Sequence, residues 1–273
     1  IPAACCADGP SGLRMEGKAT QLPIGTALSA SWNPKLVREL YTMEGQELYG
    51  NQVDTLLGPG VNIHRHPLNG RNFEYYSEDP YLSGTIAVAS TGGIKDGGAW
   101  GTIKHFALNG QESHRFKIDA VCSERAIRQI YLKTFEMAVK AGTVKALMTA
   151  YNPINGHWAA SNYDLCTTIL RNEWGYDGIV MTDWWAKMND VVEGGEESNQ
   201  DTRDMVRSQN DLYMVVNNNG AEVNSNNDNT EESVKEGKLT VGELQRAAIN
   251  ICNFILSAPV IERELVDTDI AKH

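Results

Sequence analysis

The sequence predicts an α/β fold, a (β/α)8-like TIM barrel. Three observations predict it. Short apolar runs recur along the 273 residues, amphipathic stretches separate them, and polar or charged residues follow several runs directly. Strand, loop and helix in regular alternation imply a parallel sheet with helices outside. At this length a barrel comes first and a doubly wound sheet second. The hydrophobic share, 41%, is enough for one large domain or two small ones. The barrel domain is assigned to residues 1–258.

The candidate strands are residues 22–27, 55–57 leading into 61–63, 101–103, 146–149, 179–182 and 212–216. Helix-like segments lie between them. Residues 34–49 carry Leu36, Leu40, Met43 and Leu48 at helical spacing, with Asn33 as N-cap and Pro34 in the first turn. Residues 123–141 keep the same period through Ile127, Ile130, Tyr131, Phe135, Met137 and Ala138, and Gly142 can stop them. Ser161 to Asp164 reads as a capping box before a helix ending near Gly175, and Thr240 to Glu243 as another before residues 244–256. The Asn-rich segment 217–229 reads as a long exposed loop.

Composition removes several function classes. A net charge of −11 argues against nucleic acid or an anionic membrane surface as partner. No run approaches the ~18 apolar residues of a membrane span. The opening "IPAACCADGP" has no signal-peptide pattern and reads as a fragment or a processed product; the expected compartment leans cytoplasmic. Five cysteines without regular spacing predict no disulfide framework and mostly buried, reduced thiols. His64-Arg65-His66 offers two metal ligands without a third, so no metal is expected. Neither a Walker A nor a Gly-x-Gly-x-x-Gly pattern occurs, so no nucleotide cofactor, and no cofactor at all, is expected.

In either architecture chemistry collects at the C-terminal ends of the strands. Asp183 ends the run Ile179-Val180-Met181 and abuts Trp184 and Trp185. On the residues alone it reads either as a structural cap or as a carboxylate in a sugar site. Indole rings desolvate it, so it needs cationic or hydrogen-bonding neighbours to stay ionised. Lys104, His105 and Arg71 could supply them, and Trp184 can stack on a sugar face. Lys104-His105 ends another run, and a Lys there is hard to explain as packing. Arg71, in "NGRNFEYYSEDPYLSG", can make bidentate contacts; the structural alternative for that segment is a loop with ion pairs and a stop at Pro80. Asp8, in "ADGPSGLR", can accept from two hydroxyls, or it simply stabilises its own turn.

Taken in order, "DGPSGLR", "NGRNFEYYSEDP", "KHFALNGQE", "SERAIRQIYLKTFE", "MTAYNPINGHWAASN" and "GYDGIVMTDWW" resemble the barrel domain of glycoside hydrolase family 3, in its β-glucosidase-like branch. The resemblance runs from about Ala7 to about Leu256. It implies that Asp183 is the catalytic nucleophile and Trp184 part of the entrance wall. It further implies that Asp8, Arg71, Lys104, His105 and Tyr151 hold the sugar in the first subsite. The implied reaction is retaining hydrolysis of a terminal β-linked sugar by two carboxylates ~5–5.5 Å apart. A β-xylosidase, an α-arabinofuranosidase and a non-catalytic carbohydrate-binding domain are the alternatives.

The resemblance also implies a partner. In most β-glucosidases of this family the acid/base is a glutamate on an α/β sandwich domain. Glu74, Glu78, Glu112, Glu193 and Glu196 match no such motif, and His114 lacks the Gly-His-Gly context of the branch that uses a histidine. The sandwich domain is therefore expected in cis or on another chain, with residues 259–273 as the tail or linker toward it; self-association is compatible with this. The first strand of the barrel is expected to be missing or replaced.

Overall fold

The structure, a computed structural model, describes residues 1–17, 19–215, 224 and 226–262. Its centre is a parallel sheet of five strands in chain order: β1 (Cys6–Asp8), β2 (Thr55–Leu57), β3 (Trp100–Phe106), β4 (Ala146–Thr149) and β5 (Ile179–Met181). Leu212 extends the wall beyond β5 through a parallel bridge to Met181. The strand period of two sorts the side chains. Leu56, Ile103, Leu147 and Val180 join an apolar cluster with the helices. Leu57, Ala146, Met148, Ile179 and Met181 join a second cluster with Phe254, Ala258 and Val260 from the C-terminal segment. These are the outer and inner faces of a TIM-like barrel wall.

Helices α1 (Gly25–Ala30), α2 (Pro34–Gly50) and α3 (Pro80–Asp96) lead the outer layer. Backbones of α2 and α3 nearly touch: a Cβ on Gly93 would lie 2.4 Å from the Arg38 carbonyl oxygen, so only glycine permits the approach. Short α4 (Glu124–Ala126) continues through a π-helical stretch, Ile127–Tyr131, into α5 (Lys133–Lys140). A second π-helical segment spans Asp164–Glu173. Then come α6 (Thr202–Arg207), α7 (Thr230–Lys235) and α8 (Val241–Ser257), the last opened by the expected Thr240–Glu243 capping box.

Several expectations are corrected. Residues 22–27 form no strand; the chain turns into α1 there, and β1 lies earlier, at the head of the segment read as a loop. Pro80 starts a helix instead of stopping a segment, because Asp79 caps it by accepting from the Leu82 N–H at 2.7 Å. The buried face of α2 is Val37, Tyr41, Glu44, Gly45 and Leu48, whereas Leu36 and Met43 are exposed. Lys104 and His105 lie inside β3, not after it. Asn162, not Ser161, caps the second π-helical segment, accepting from Leu165 at 2.9 Å. Of the run 212–216, Leu212 makes one bridge and Val216 lies outside the described residues. Most of the Asn-rich segment and residues 263–273 also lie outside them. Cys166 is buried, Cys122 and Cys252 are half-buried, and Cys5 and Cys6 are exposed at the sheet edge.

Two buried acids fix the ends of the wall. Asp54 accepts from the N–H groups of Cys5 and Val260, each at 2.7 Å, so both terminal segments are tied below β2. Arg171 and Asp211 place β5. The guanidinium meets Asp211 Oδ2 at 2.6 Å and donates to the carbonyls of Tyr176, Gly178 and Gln209. Asp211 also accepts from the Val180 N–H at 2.9 Å and from Asn250 of α8 at 2.8 Å. Burial pushes its carboxyl up, and Arg171 opposes that. Arg171→Ala, which leaves a buried carboxylate without its partner, is expected to lower stability by ~3–5 kcal/mol in urea unfolding. A loss under ~1 kcal/mol would show that the pair does not hold β5 in place.

Candidate active site

Six of the seven residues singled out from the sequence stand at the C-terminal ends of β1, β3, β4 and β5. Arg71 comes from the turn-rich segment before α3. The structure joins them in one network. Asp8, ending β1, accepts from Lys104 Nζ at 2.8 Å, from Arg14 Nη1 at 3.0 Å and from the Gly9 N–H at 3.0 Å. Burial works to raise its carboxyl, but the Lys104 ammonium outweighs that and holds it below the usual range. Arg71 pairs with the buried Glu74 and places Nη1 3.0 Å from His105 Nε2.

His105 is fixed from every side. Asn62 brackets its peptide, accepting from the N–H at 2.8 Å and donating to the carbonyl at 2.9 Å. Burial, then Arg71 and Lys104, depress the imidazole far below its ordinary range, so the ring is neutral. Arg71 can only donate, so Nε2 accepts and Nδ1 carries the hydrogen toward Tyr75 Oη, 3.2 Å away. His105 Nε2 lies 3.7 Å from Asp183 Oδ2. With the ring uncharged, that contact is neither an ion pair nor a hydrogen bond.

Asp183 is 6% exposed. Burial raises its carboxyl; the Trp184 N–H, which donates to Oδ1 at 2.8 Å, and the Tyr151 hydroxyl oppose that, helped by Lys104 and Arg71. Trp184 packs half-buried on the inner apolar cluster, and Trp185, at φ 49°, is the exposed indole. The sequence reading missed Arg115. Its guanidinium lies 4.8 Å from the centre of the Tyr151 ring and 5.1 Å from that of Phe116, and it helps to depress His105. Its one sequence signal is its place ten residues after His105, in "QESHRFKID".

The carboxylates considered as acid/base are placed elsewhere. Glu74 is held by Arg71, and Glu112 by Arg115 at 2.7 Å and Asn109 at 3.0 Å. Glu78, Glu193 and Glu196 are exposed, as is His114, which bonds Ser113.

A parallel barrel wall whose strand ends converge on a buried aspartate among lysine, arginine, histidine and aromatic side chains is the arrangement of an enzyme domain of the TIM-barrel class. Residues 1–254 match the Glycosyl hydrolase family 3 N terminal domain, and the chain belongs to that family of glycoside hydrolases. A beta-glucosidase of Ruminococcus albus is 51% identical, over 97% of this chain and 28% of that protein. Thermostable beta-glucosidase B of Acetivibrio thermocellus is 37% identical, over 100% of this chain and 36% of that one. The solved beta-glucosidase of Paenibacillus barengoltzii superposes with a TM-score of 0.95 at 68% identity, covering 97% of this chain and 29% of that structure. Beta-glucosidase 3B of Thermotoga neapolitana, solved with glucose, gives 0.85 at 38% identity, covering 100% of this chain and 38% of that one. The chain spans about a third of the length of these relatives.

The Tyr151 hydroxyl favours the ionised form of Asp183, so Tyr151→Phe is expected to raise that carboxyl further. The acid limb of kcat/KM in the complete enzyme should then move to higher pH. A limb that stays in place or moves lower would remove Tyr151 from the Asp183 site.

Proposed function

We propose that this domain carries the nucleophile of a retaining, exo-acting β-glycoside hydrolase of the β-glucosidase type. The observation that carries the reading is the Asp183 carboxylate: buried at the end of β5, hydrogen-bonded by the Trp184 N–H, with its charged form further favoured by the Tyr151 hydroxyl, and without a cation of its own among the described residues. Asp183 attacks the anomeric carbon as the glycosidic C–O bond breaks, and an acid delivers a proton to the leaving oxygen. The resulting glycosyl-aspartate is attacked by a water that returns its proton to the same acid/base. Asp8 and Lys104 engage vicinal hydroxyls, and Arg71 and His105 address the neighbouring ones, contacts that strengthen as the sugar flattens.

The acid/base belongs, in this reading, to an α/β sandwich domain in cis or on another chain. It is supported by the engagement of Glu74 and Glu112 with arginines and by the length of the relatives. Residues 259–273 would lead toward it. A second reading is a pentopyranosidase. An exo-alpha-(1->6)-L-arabinopyranosidase of Bifidobacterium longum is 38% identical over 98% of this chain and 35% of that protein. Comparing kcat/KM for aryl β-D-glucoside and aryl α-L-arabinopyranoside separates the two.

Asp183→Asn in the complete enzyme is expected to abolish turnover and leave the fold intact, with a thermal midpoint at or above the parent's. The sign follows from the raised carboxyl: the folded state holds a proton more tightly than the unfolded one, so the buried charge destabilises at neutral pH and its neutral isostere does not. Labelling with an activated 2-fluoro glucoside should place the sugar on the Asp183 peptide. A parental rate in Asp183→Asn, or label elsewhere, overturns the assignment. The 273-residue chain alone is expected to turn over aryl glucosides far more slowly than the complete enzyme; equal rates would place the acid/base within this chain.

A further inference from the structure

A row of side chains on α2 faces the loop that presents Asp8. Tyr41, Glu44 and Glu47 stand three residues apart on one side of the helix. Tyr41 Oη donates to the Pro10 carbonyl at 2.9 Å. Glu47 accepts from the Thr20 N–H at 3.1 Å and from the Thr20 hydroxyl. Between them sits Glu44, 2% exposed. Its carboxyl faces the Gly12 N–H, which already bonds the Gly9 carbonyl at 3.1 Å, and neither carboxyl oxygen reaches hydrogen-bond geometry.

The loop has little slack. Arg14 N–H returns to the Asp8 carbonyl at 2.8 Å, and Leu22 N–H to the Ser11 carbonyl at 3.0 Å. Gly12 sits at φ +115°, where a Cβ would lie 2.3 Å from the Thr20 carbonyl oxygen. A displacement of Gly12 therefore reaches Asp8, and through it the 2.8 Å bond to Lys104.

A buried carboxylate without donors or a cation is unstable, whereas the neutral acid is tolerated there. We propose that Glu44 is a positioning residue for the sugar subsite: uncharged, it seats the loop 9–13 and fixes Asp8 against Lys104; ionised, it unseats both. The inference rests on the reading that Asp8 and Lys104 hold the sugar. Burial pushes the Glu44 carboxyl up to about 8, with Glu47 of the same helix adding to it. Among the described residues, the other titratable groups beside it are Tyr41, on its own helix, and Tyr76, from the segment before α3; burial holds both phenols neutral through the alkaline range. The seat is thus present below about pH 8 and lost above it.

The test is D-glucose binding, read by tryptophan fluorescence from pH 6 to 9.5 in the Asp183→Asn form of the complete enzyme, with and without Glu44→Gln. Apparent affinity scales with the competent fraction, so binding should weaken about tenfold between pH 7 and pH 9 with Glu44 present. With Glu44→Gln it should stay level across that range and match the Glu44 enzyme at pH 7. Superimposable profiles overturn the positioning role, while absence of glucose binding at pH 6.5 overturns the sugar-site reading and the inference with it. Tyr41→Phe, which loosens the adjoining tie, should weaken glucose binding severalfold at pH 7 even if Glu44→Gln fails to fold. Unchanged binding in Tyr41→Phe overturns the proposal independently.

Discussion

A carboxylate kept out of water without a cation of its own dictates the arrangement of this barrel's strand ends. Asp183 is desolvated, and the charges nearest to it are already taken: Lys104 by Asp8 and Arg71 by Glu74. His105, whose Nε2 lies 3.7 Å away, is held neutral by burial and by those same cations. Asp183 keeps a backbone N–H donor, the favourable influence of the Tyr151 phenol and a share of the field of Lys104 and Arg71. The proposed reaction needs this combination. A fully neutralised aspartate would be a poor nucleophile, and an isolated one would take up a proton. The unneutralised negative charge is complementary to the positive charge that develops on a sugar ring in an oxocarbenium-like transition state.

Holding such a group in place is a task for the scaffold. β5 carries Asp183 and is pinned by Arg171 and Asp211, whose contacts span the strand's N-terminal approach, its Val180 N–H and α8. β3 delivers Lys104 and His105 from the far side of β4, and Asn62 locks the His105 peptide at both its N–H and its carbonyl. The inner apolar cluster below these ends excludes water from the base of the site, so the polar contacts above it act at low dielectric. Rigidity at the strands and polarity at their ends are thereby separated along the barrel axis.

Much of this was legible in the sequence, because its signals are local. Apolar runs marked β2, β4 and β5, and the acid or base ending a run marked Asp183, Lys104 and His105. What escaped depends on long-range contacts. β1 has only three residues and becomes a strand by pairing with β2. Residues 22–27 carry an apolar run but pack as coil and helix against the outer cluster. Pro80 reads as a stop unless Asp79 is recognised as a cap. Arg115 has no run to end; stacking on Tyr151 places it, and that ring lies 36 residues away in the chain. On α2 the apolar count selected Leu36 and Met43, because a glutamate is not scored as a core residue.

Glu44 and Asp183 are both buried acids, and burial raises both. Their surroundings distinguish them. Asp183 has a committed backbone donor, a phenol that favours its charged form and nearby cations, which together offset part of the cost of the charge. Glu44 faces one N–H already engaged elsewhere, and its charged neighbour, Glu47, has the same sign. The first environment offsets part of the cost of an anion, and the second tolerates a neutral acid and penalises its ionisation. The donors and charges around each buried carboxyl thus fit the different work proposed for the two residues: bond formation at the sugar for Asp183, and the position of the Asp8 loop for Glu44.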